Sequence, residues 1–207
     1  MPERVKKMSL QEAKEAVEDR WAGRKDFEVE FCLCQAGDHA WLEQALRATQ
    51  KEVLHGLDDP GDLRYSYDYT RYTSLLAAVT AHIRNDHGLL VARDGEVLLG
   101  ALSFLSDFTY HWMEEPEKTL TRKGLLEVSN LGATGMTPGV GRELMLWLGA
   151  VAHLKGQEVS VFADDGSERF YERLGLTTFS AGLASARYLW RKTDLPALEA
   201  EELTLAD

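Results

Sequence analysis

The sequence predicts a mixed α/β (α+β) domain, in which a mixed central sheet has helices on both of its faces. Two observations carry this prediction. Strand-like and helix-like segments alternate along the chain without an internal repeat, and the second half reads strand, loop, helix, strand, helix, strand. The 207 residues suffice for one large domain that folds around its own core without a disulfide or a metal.

The charge balance is acidic: the sequence contains 23 Lys and Arg residues and 34 Asp and Glu residues, so the formal net charge is −11. This balance argues against broad binding to a phosphate backbone, so we expect no nucleic-acid partner; it suits a basic small molecule or a basic peptide. No apolar run reaches the roughly 18 residues that a membrane span needs, and none follows the basic residues at the amino terminus as in a signal peptide. We therefore expect a cytoplasmic protein without a membrane partner.

The cysteines and histidines lack the spacing of a metal site. Cys32 and Cys34 are separated by one residue, which is poor spacing for a disulfide or a zinc knuckle, so two small buried side chains are the simpler interpretation. The six histidines show neither the H-x-H nor the H-E-x-x-H pattern. The sequence therefore predicts no metal.

The first half is predicted from a capping box and a hairpin turn. Ser9-Leu10-Gln11-Glu12 opens a helix, and Asp94-Gly95 is a typical hairpin turn whose second arm is long enough to contain a bulge or bend. The predicted elements are a helical extension over residues 1–25, a strand over Phe27–Cys34, a helix that starts at Gly37-Asp38 and includes Val53, a helix over Thr70–Arg84, and a hairpin with arms Gly88–Arg93 and Glu96–Phe108.

The second half begins with an irregular crossover over residues 109–123. The elements predicted after it are a strand over Leu125–Leu131, a Gly- and Thr-rich connection, a helix from Val140 to near Gly156, a strand over Glu158–Phe162, a helix over Ser167–Leu174 and a last strand over Tyr188–Arg191. The domain is thus placed at residues 26–192. Residues 193–207 carry five acids and no base, so we expect a mobile tail.

The chemistry is concentrated where the strand Leu125–Leu131 leads into the next helix. Gly139 and Gly141 leave backbone N–H groups uncovered at the helix amino terminus, where the helix dipole favours an anion. A pyrophosphate fits such a site, and Arg142 could add a charge-assisted contact. The spacing is neither a Walker P-loop nor a Rossmann fingerprint. Glycines that only permit tight packing of the helix on the strand remain the alternative.

A second motif follows one helix and one strand later, and the two together resemble the GNAT superfamily of acyl-CoA-dependent N-acyltransferases. The family's Q/R-x-x-G-x-G/A turn reads Met136-Thr137-Pro138-Gly139-Val140-Gly141, and its Tyr-x-x-x-Gly-Phe-like helix end reads Tyr171-Glu172-Arg173-Leu174-Gly175-Leu176. The resemblance covers about Gly88 to Lys192. Met136 departs from the usual Arg or Gln, Asp164 from the frequent Asn, and Leu176 from the frequent Phe.

The resemblance implies a mixed, mostly antiparallel sheet and acetyl-CoA as acyl donor. It implies that the backbone of Leu131 and Ala133 pairs with the pantetheine arm, and that Tyr171 protonates the departing thiolate. A phenol, with a pKa ordinarily near 10, suits that task; a tyrosine that only packs on the cofactor is the alternative. The resemblance places Gly139, Val140, Gly141 and Arg142 around the pyrophosphate, and Asp164 is a further candidate to bind the cofactor.

The amine acceptor needs a base and a pocket. Glu127 is the only acid on its predicted strand, so it, or a water that it holds, is the candidate base; a solvated or ion-paired Glu127 is the alternative. The residues expected at the acceptor are Tyr110, Trp112 and Asn130. The wider aromatic set from which the pocket could be built, most of it expected to be ordinary core, comprises Tyr65, Tyr67, Tyr69, Tyr72 and Phe108.

The hypothesis is therefore an acetyl-CoA-dependent N-acetyltransferase that acts by direct attack of a small-molecule or peptide amine on the thioester. One rival is a catalytically silent protein of the same fold that binds acyl-CoA as a sensor or protein partner, and Met136 is its only support in the sequence. Another, a toxin that acylates charged tRNA, is disfavoured by the acidic charge. The leading helix or the last strand could build a homodimer.

Overall fold

The computed structural model describes residues 28–55, 63–106, 109–111, 119–121, 124–163, 166–181 and 186–191. The predicted amino-terminal helix and the predicted acidic tail lie outside these residues.

A seven-stranded sheet forms the centre of the fold. Its strand order is β1-β2-β3-β6-β7-β9-β8, and every neighbouring pair is antiparallel except β6 and β7. The strands are β1 (Glu30–Leu33), β2 (Gly88–Asp94), β3 (Val97–Ser106), β6 (Leu125–Ala133), β7 (Glu158–Ala163), β8 (Thr177–Ala181) and β9 (Ala186–Trp190), while β4 (Thr109–His111) and β5 (Thr119–Thr121) form a separate ribbon. The predicted mixed, mostly antiparallel sheet is confirmed.

In the part of the chain that the structure describes, four α-helices cover the two faces of this sheet. They are α1 (His39–Val53, preceded by a 3₁₀ turn over Ala36–Asp38), α2 (Leu63–Asn85), α3 (Val140–Lys155) and α4 (Glu168–Arg173). Each long helix buries apolar residues at helical spacing, as Leu42, Leu46 and Val53 do in α1. Helix α3 is bounded by two glycines at positive φ, Gly139 at 88° and Gly156 at 62°.

The glycines of the central strands show which helix covers which face. A side chain at Gly132 would collide with the backbone of Ser74 and Leu75, so α2 lies directly on that face of β6. A Cβ at Gly100 would lie 2.6 Å from Cγ1 of Val140, so α3 covers the opposite face. Helix α1 packs beside α2, and the Tyr171 ring of α4 packs on Tyr188 of β9 on the α3 side. Helices on both faces are thus confirmed.

The structure corrects the predicted elements at three places. Helix α2 begins at Leu63 rather than near Thr70, so the tyrosine-rich segment belongs to the helix. The crossover predicted to be irregular contains β4 and β5. Strand β8 was not predicted, because Thr177–Ala181 has no clear alternation of apolar and polar residues.

The long second arm of the hairpin contains the expected irregularity. Ala92 pairs with Gly100 and Arg93 with Leu98, which leaves Leu99 as an extra residue in β3. Over the ranges that the structure describes, none of the helices is both long and apolar enough to cross a membrane.

Candidate active site

The two parallel strands at the centre of the sheet separate along their length. β6 and β7 pair from Leu125 with Glu158 to Val128 with Val161, and the pairing then stops. β6 continues to Ala133 with β3 on one edge, while β7 continues to Ala163 with β9 on its far edge. The separation leaves an open slot between the carboxyl-terminal ends of two adjacent strands.

A β-bulge lies where the strands part. Asn130 pairs with Ser103 and Val128 with Phe104, so Ser129 is an extra residue in β6. Because Ser103 and Phe104 are consecutive in β3, their partners Asn130 and Val128 face opposite sides of the sheet. The bulge thereby turns Asn130 toward the α2 face, where its Nδ2 donates a hydrogen bond of 3.2 Å to Oγ of Ser103.

The slot opens into a cleft of about 350 Å³ between α2, β6, β7 and α4. Its polar lining consists of hydroxyl and amide side chains, namely Thr73, Ser74, Ser129, Asn130 and Ser167. Leu131, Phe162 and Tyr171 also line it, so the structure brings three of the residues named from the sequence, Asn130, Leu131 and Tyr171, to one cavity.

The open edge of β6 carries backbone groups that β3 does not use. The N–H of Thr134 donates a hydrogen bond of 3.0 Å to the carbonyl of Leu99 in β3. Because successive residues of a strand direct their N–H and C=O groups to opposite edges, those of Leu131 and Ala133 point toward the slot. An extended ligand in the slot could pair with them as an added strand would.

The amino terminus of α3 lies beside this edge. The first helical hydrogen bond runs from the N–H of Glu143 to the carbonyl of Gly139, so the N–H groups of Val140, Gly141 and Arg142 precede the intrahelical ladder. A Cβ at Gly141 would lie 3.9 Å from the Cβ of Ala133 and 4.0 Å from Cζ of Phe170. The helix terminus therefore sits next to the end of β6 and the residue that precedes Tyr171.

Two side chains of the same region have settings that the sequence did not indicate. Arg142 is exposed and forms an ion pair with the neighbouring Glu143. Met136 is fully buried in the hydrophobic core, and its N–H donates to Oγ1 of Thr134.

Tyr171 is held in an aromatic group on α4. Its ring is 7 % exposed and packs against Phe170 at 5.0 Å and against Tyr188 at 5.9 Å between centroids. The hydroxyl of Tyr188 donates to Glu172 at 3.2 Å, and burial is the main cause that raises the pKa of Tyr188. Gly175, at φ 83°, ends the turn that follows α4.

Glu127 lies in the same strand as the cleft residues but is not among the described residues that line the cleft. Its side chain is 5 % exposed, and Oγ of Ser160 donates to its Oε2 at 3.3 Å. By register it shares the α2 face with Asn130, since it pairs with Leu105 and Asn130 with Ser103. The alternative of a solvated Glu127 is therefore wrong.

The structure does not describe several of the residues named from the sequence. Asp164, Trp112 and Phe108 fall outside the described residues, as do the side chains of Tyr65, Tyr67 and Tyr110. Of the two remaining tyrosines, Tyr72 is a core residue whose hydroxyl lies 3.4 Å from the carbonyl of Leu46, and Tyr69 is exposed.

Thr73 and Ser74, on α2, were missed as cleft residues. Small hydroxyl residues on a helix that otherwise packs on the sheet were the signal available for them. In the part of the chain that the structure describes, His, Cys, Asp and Glu side chains form no group of three or more that could hold a metal ion.

Comparison with solved structures identifies the architecture. A point mutant of the AtaT toxin, bound to the C-terminus of the antitoxin AtaR and acetyl-CoA, matches 81 % of this chain and 96 % of its own at 13 % identity and a TM-score of 0.52. The PaiA N-acetyltransferase from Thermoplasma acidophilum, in complex with coenzyme A, matches 79 % and 99 % at 16 % identity and a TM-score of 0.46. A GNAT-family protein from Desulfovibrio desulfuricans matches 79 % and 99 % at 15 % identity and a TM-score of 0.43.

The chain shares its fold with the AtaT toxin. No protein-family model and no curated protein matches the sequence. At 13 % identity the likeness to the toxin establishes a shared fold alone, and the ligands in the matched structures are properties of those proteins.

Proposed function

We propose that the protein is an N-acetyltransferase that moves an acetyl group from acetyl-CoA to a primary amine. One observation carries the proposal. Leu131 of β6 and Tyr171 line one cleft where β6 and β7 separate, and the amino terminus of α3 lies next to the end of β6 and to Phe170. A backbone edge suits the pantetheine arm of acetyl-CoA, a helix amino terminus suits its diphosphate, and a phenol suits protonation of the departing thiolate.

The residues present fit acetyl-CoA as the donor substrate. Leu131 and Ala133 would pair with the pantetheine arm through the open edge of β6. The N–H groups of Val140, Gly141 and Arg142, with Gly139 open to solvent, would cradle the pyrophosphate. Asp164 is proposed beside the cofactor from the resemblance.

Tyr171 is proposed as the general acid. When the amine nitrogen bonds to the acetyl carbon and the carbon–sulfur bond breaks, Tyr171 donates its proton to the sulfur of coenzyme A. Its support is a place in the cleft wall and a ring fixed between Phe170 and Tyr188. No covalent enzyme intermediate is needed, because the amine attacks the thioester directly.

Glu127 is proposed as the general base, acting through a water. Its carboxylate is buried behind the cleft wall and shares a face with Asn130, which lines the cleft. A water held by Asn130 or Ser129 would relay the proton from the amine to Glu127. Most of the rate enhancement would come from holding donor and acceptor together and from the strand-edge N–H groups facing the oxyanion.

The acceptor is proposed to be a small-molecule or peptide amine. The hydroxyl and amide side chains of the cleft suit a polar amine, and Asn130, Tyr110 and Trp112 are proposed to contact it. The net charge of −11 favours a cationic acceptor and disfavours nucleic acid. We propose that the enzyme is cytoplasmic. We also propose that it forms a homodimer.

The experiment is an amine panel with acetyl-CoA, read as release of free coenzyme A thiol. The panel contains polyamines, aminoglycosides, amino acids, and peptides with a free amino terminus or lysine. Thiol release that depends on both the enzyme and one class of amine supports the proposal. Binding of acetyl-CoA without thiol release over the whole panel would instead establish the catalytically silent alternative.

A further inference from the structure

A cation of α2 lies directly against the loop that joins β6 to α3. Gly135 in this loop has φ 82°, and a side chain there would collide with Nη1 of Arg71. The position of such a Cβ is 2.8 Å from Cζ and 3.5 Å from Nε of the same guanidinium. The Arg71 guanidinium therefore occupies the space that the missing side chain of Gly135 leaves.

Arg71 also lies on the side of α2 that borders the cleft. Ser74 and Ala77 line the cleft, and they follow Arg71 by three and six residues, which places Arg71 and Ser74 on one face of the helix. Gly132 meets Ser74 and Leu75, and Gly135 meets Arg71. Helix α2 thus runs along β6. Arg71 lies near the carboxyl-terminal end of β6, where the loop to α3 begins.

The loop itself offers little positive charge at this end. The side chain of Met136 is fully buried in the hydrophobic core. Arg142 is paired with Glu143. Residues 134–139, all of which the structure describes, contain no cationic side chain, so a diphosphate there would meet backbone N–H groups of the loop in a protein whose net charge is −11.

We propose that Arg71 supplies the positive charge that binds the diphosphate of acetyl-CoA, a role that the buried Met136 side chain cannot take. This inference rests on the proposed function, because it concerns the same donor substrate. Arg71 would make a charge-assisted contact from the α2 side while the α3 amino terminus contributes N–H groups from the other side. The guanidinium can approach the loop this closely because Gly135, at φ 82°, has no side chain.

The test is a calorimetric titration of coenzyme A into the full chain and three variants. Arg71→Met removes the charge, Arg71→Lys retains it without the planar fork, and Arg84→Met removes an exposed arginine from the far end of the same helix. We expect Arg71→Met to weaken coenzyme A binding by about 10- to 100-fold, Arg71→Lys to weaken it less, and Arg84→Met to bind as the wild type does.

Salt separates an electrostatic role from a structural one. Between 0.1 M and 1 M salt the screening length falls from about 10 Å to about 3 Å, so the affinity ratio of wild type to Arg71→Met should shrink. A ratio that does not change with salt would overturn the inference. Thermal melts of both Arg71 variants establish that they fold, and Arg71→Lys serves as the test if Arg71→Met does not.

The outcomes distinguish this inference from the proposed function. If wild type and Arg71→Met bind coenzyme A equally well, the role of Arg71 is overturned and the proposed acetyltransferase function is unaffected. That role is also overturned if Arg71→Met changes only the KM for the amine, since the cation would then face the acceptor. Wild type that binds no coenzyme A overturns both.

Discussion

At the scale of single residues, Tyr171 is the side chain whose setting most favours a chemical role. Phe170 and Tyr188 fix its ring, and the cleft reaches it. Tyr188 offers a matched comparison, because it is a second buried phenol whose hydroxyl is engaged by Glu172 and which is not among the described lining of the cleft.

We expect Tyr171→Phe to lower kcat by about 10²- to 10⁴-fold while the affinity for acetyl-CoA stays within about threefold. The ring and its packing remain, so only the proton donor is removed. Steady-state kinetics with the best amine of the panel and calorimetry provide the two numbers. Tyr188→Phe should retain most of kcat, and equal losses in both variants would assign Tyr171 a packing role only.

Cys34, a buried free cysteine directly after β1, reports on the packing at this end of the strand. Burial raises the pKa of this thiol from its ordinary value of 9.0 to about 12. At pH 8 the native thiolate fraction is then on the order of 10³ lower than in the unfolded chain, so iodoacetamide should modify Cys34 only after unfolding. Mass spectrometry of native and urea-treated protein measures the alkylation of Cys34. Rapid alkylation of Cys34 in the native protein would contradict its burial.

The same thiol sets a pH dependence of stability. Because the folded pKa lies above the unfolded one, the contribution is fully present below about pH 9 and is lost as the pH rises toward 12. The free energy of unfolding should therefore fall over this window, and the fall should be smaller in Cys34→Ala. An unchanged slope in that variant would show that other groups cause it.

At the scale of elements, the close approach of α2 to β6 builds one wall of the cleft. It is permitted by Gly132, whose missing side chain leaves room for the backbone of Ser74 and Leu75. The bulge at Ser129 acts in the same strand and turns Asn130 toward that wall. The packing of α2 on β6 therefore also determines the shape of the cleft.

We expect Gly132→Ala to lower the free energy of unfolding by about 3 kcal/mol or more, because a methyl group would meet backbone rather than a flexible side chain. The control is Gly37→Ala in the 3₁₀ turn, where a Cβ would meet nothing within 4 Å and the change should stay within about 0.5 kcal/mol. Urea denaturation followed by circular dichroism measures both. Equal stability of the two variants would contradict the packing described.

The elements show how far the sequence carries. Helices α1 and α3 were predicted because their apolar residues recur at helical spacing, and the hairpin because Asp94-Gly95 is a strong turn signal. Helix α2 was predicted too short, since tyrosines at alternate positions mask its period. These successes and errors follow from local patterns.

The candidate site depends on tertiary placement that no local pattern contains. The two motifs predict that Tyr171 and the α3 amino terminus belong to one site. In the fold a Cβ at Gly141 would lie 4.0 Å from Cζ of Phe170, the residue before Tyr171. The bulge at Ser129 and the approach of Arg71 to Gly135 depend on register and on packing between distant segments. They could be found only in the folded chain.

At the scale of the whole molecule, donor binding and folding are linked, because the cleft joins elements from both halves of the chain. We expect acetyl-CoA at 100 times its Kd to stabilise the fold by about 2.7 kcal/mol, which corresponds to a rise of about 5–10 °C in Tm for a domain of this size. Differential scanning calorimetry measures the rise. An unchanged Tm at that concentration would contradict binding to the folded state.

The central claim is that acetyl-CoA binds along the open edge of β6 with its diphosphate at the amino terminus of α3. It is tested most directly by calorimetric titration of acetyl-CoA into wild type, Gly141→Ala and Gly141→Glu. A Cβ fits at this position, with its nearest neighbours at 3.9 and 4.0 Å, so Gly141→Ala should fold and bind within about threefold of wild type. Gly141→Glu places a carboxylate where the diphosphate must lie and should bind at least about 100-fold more weakly. Micromolar binding by wild type that is lost only in Gly141→Glu is the predicted result. Wild type that binds no acetyl-CoA, or Gly141→Glu that binds as tightly as wild type, would contradict the account.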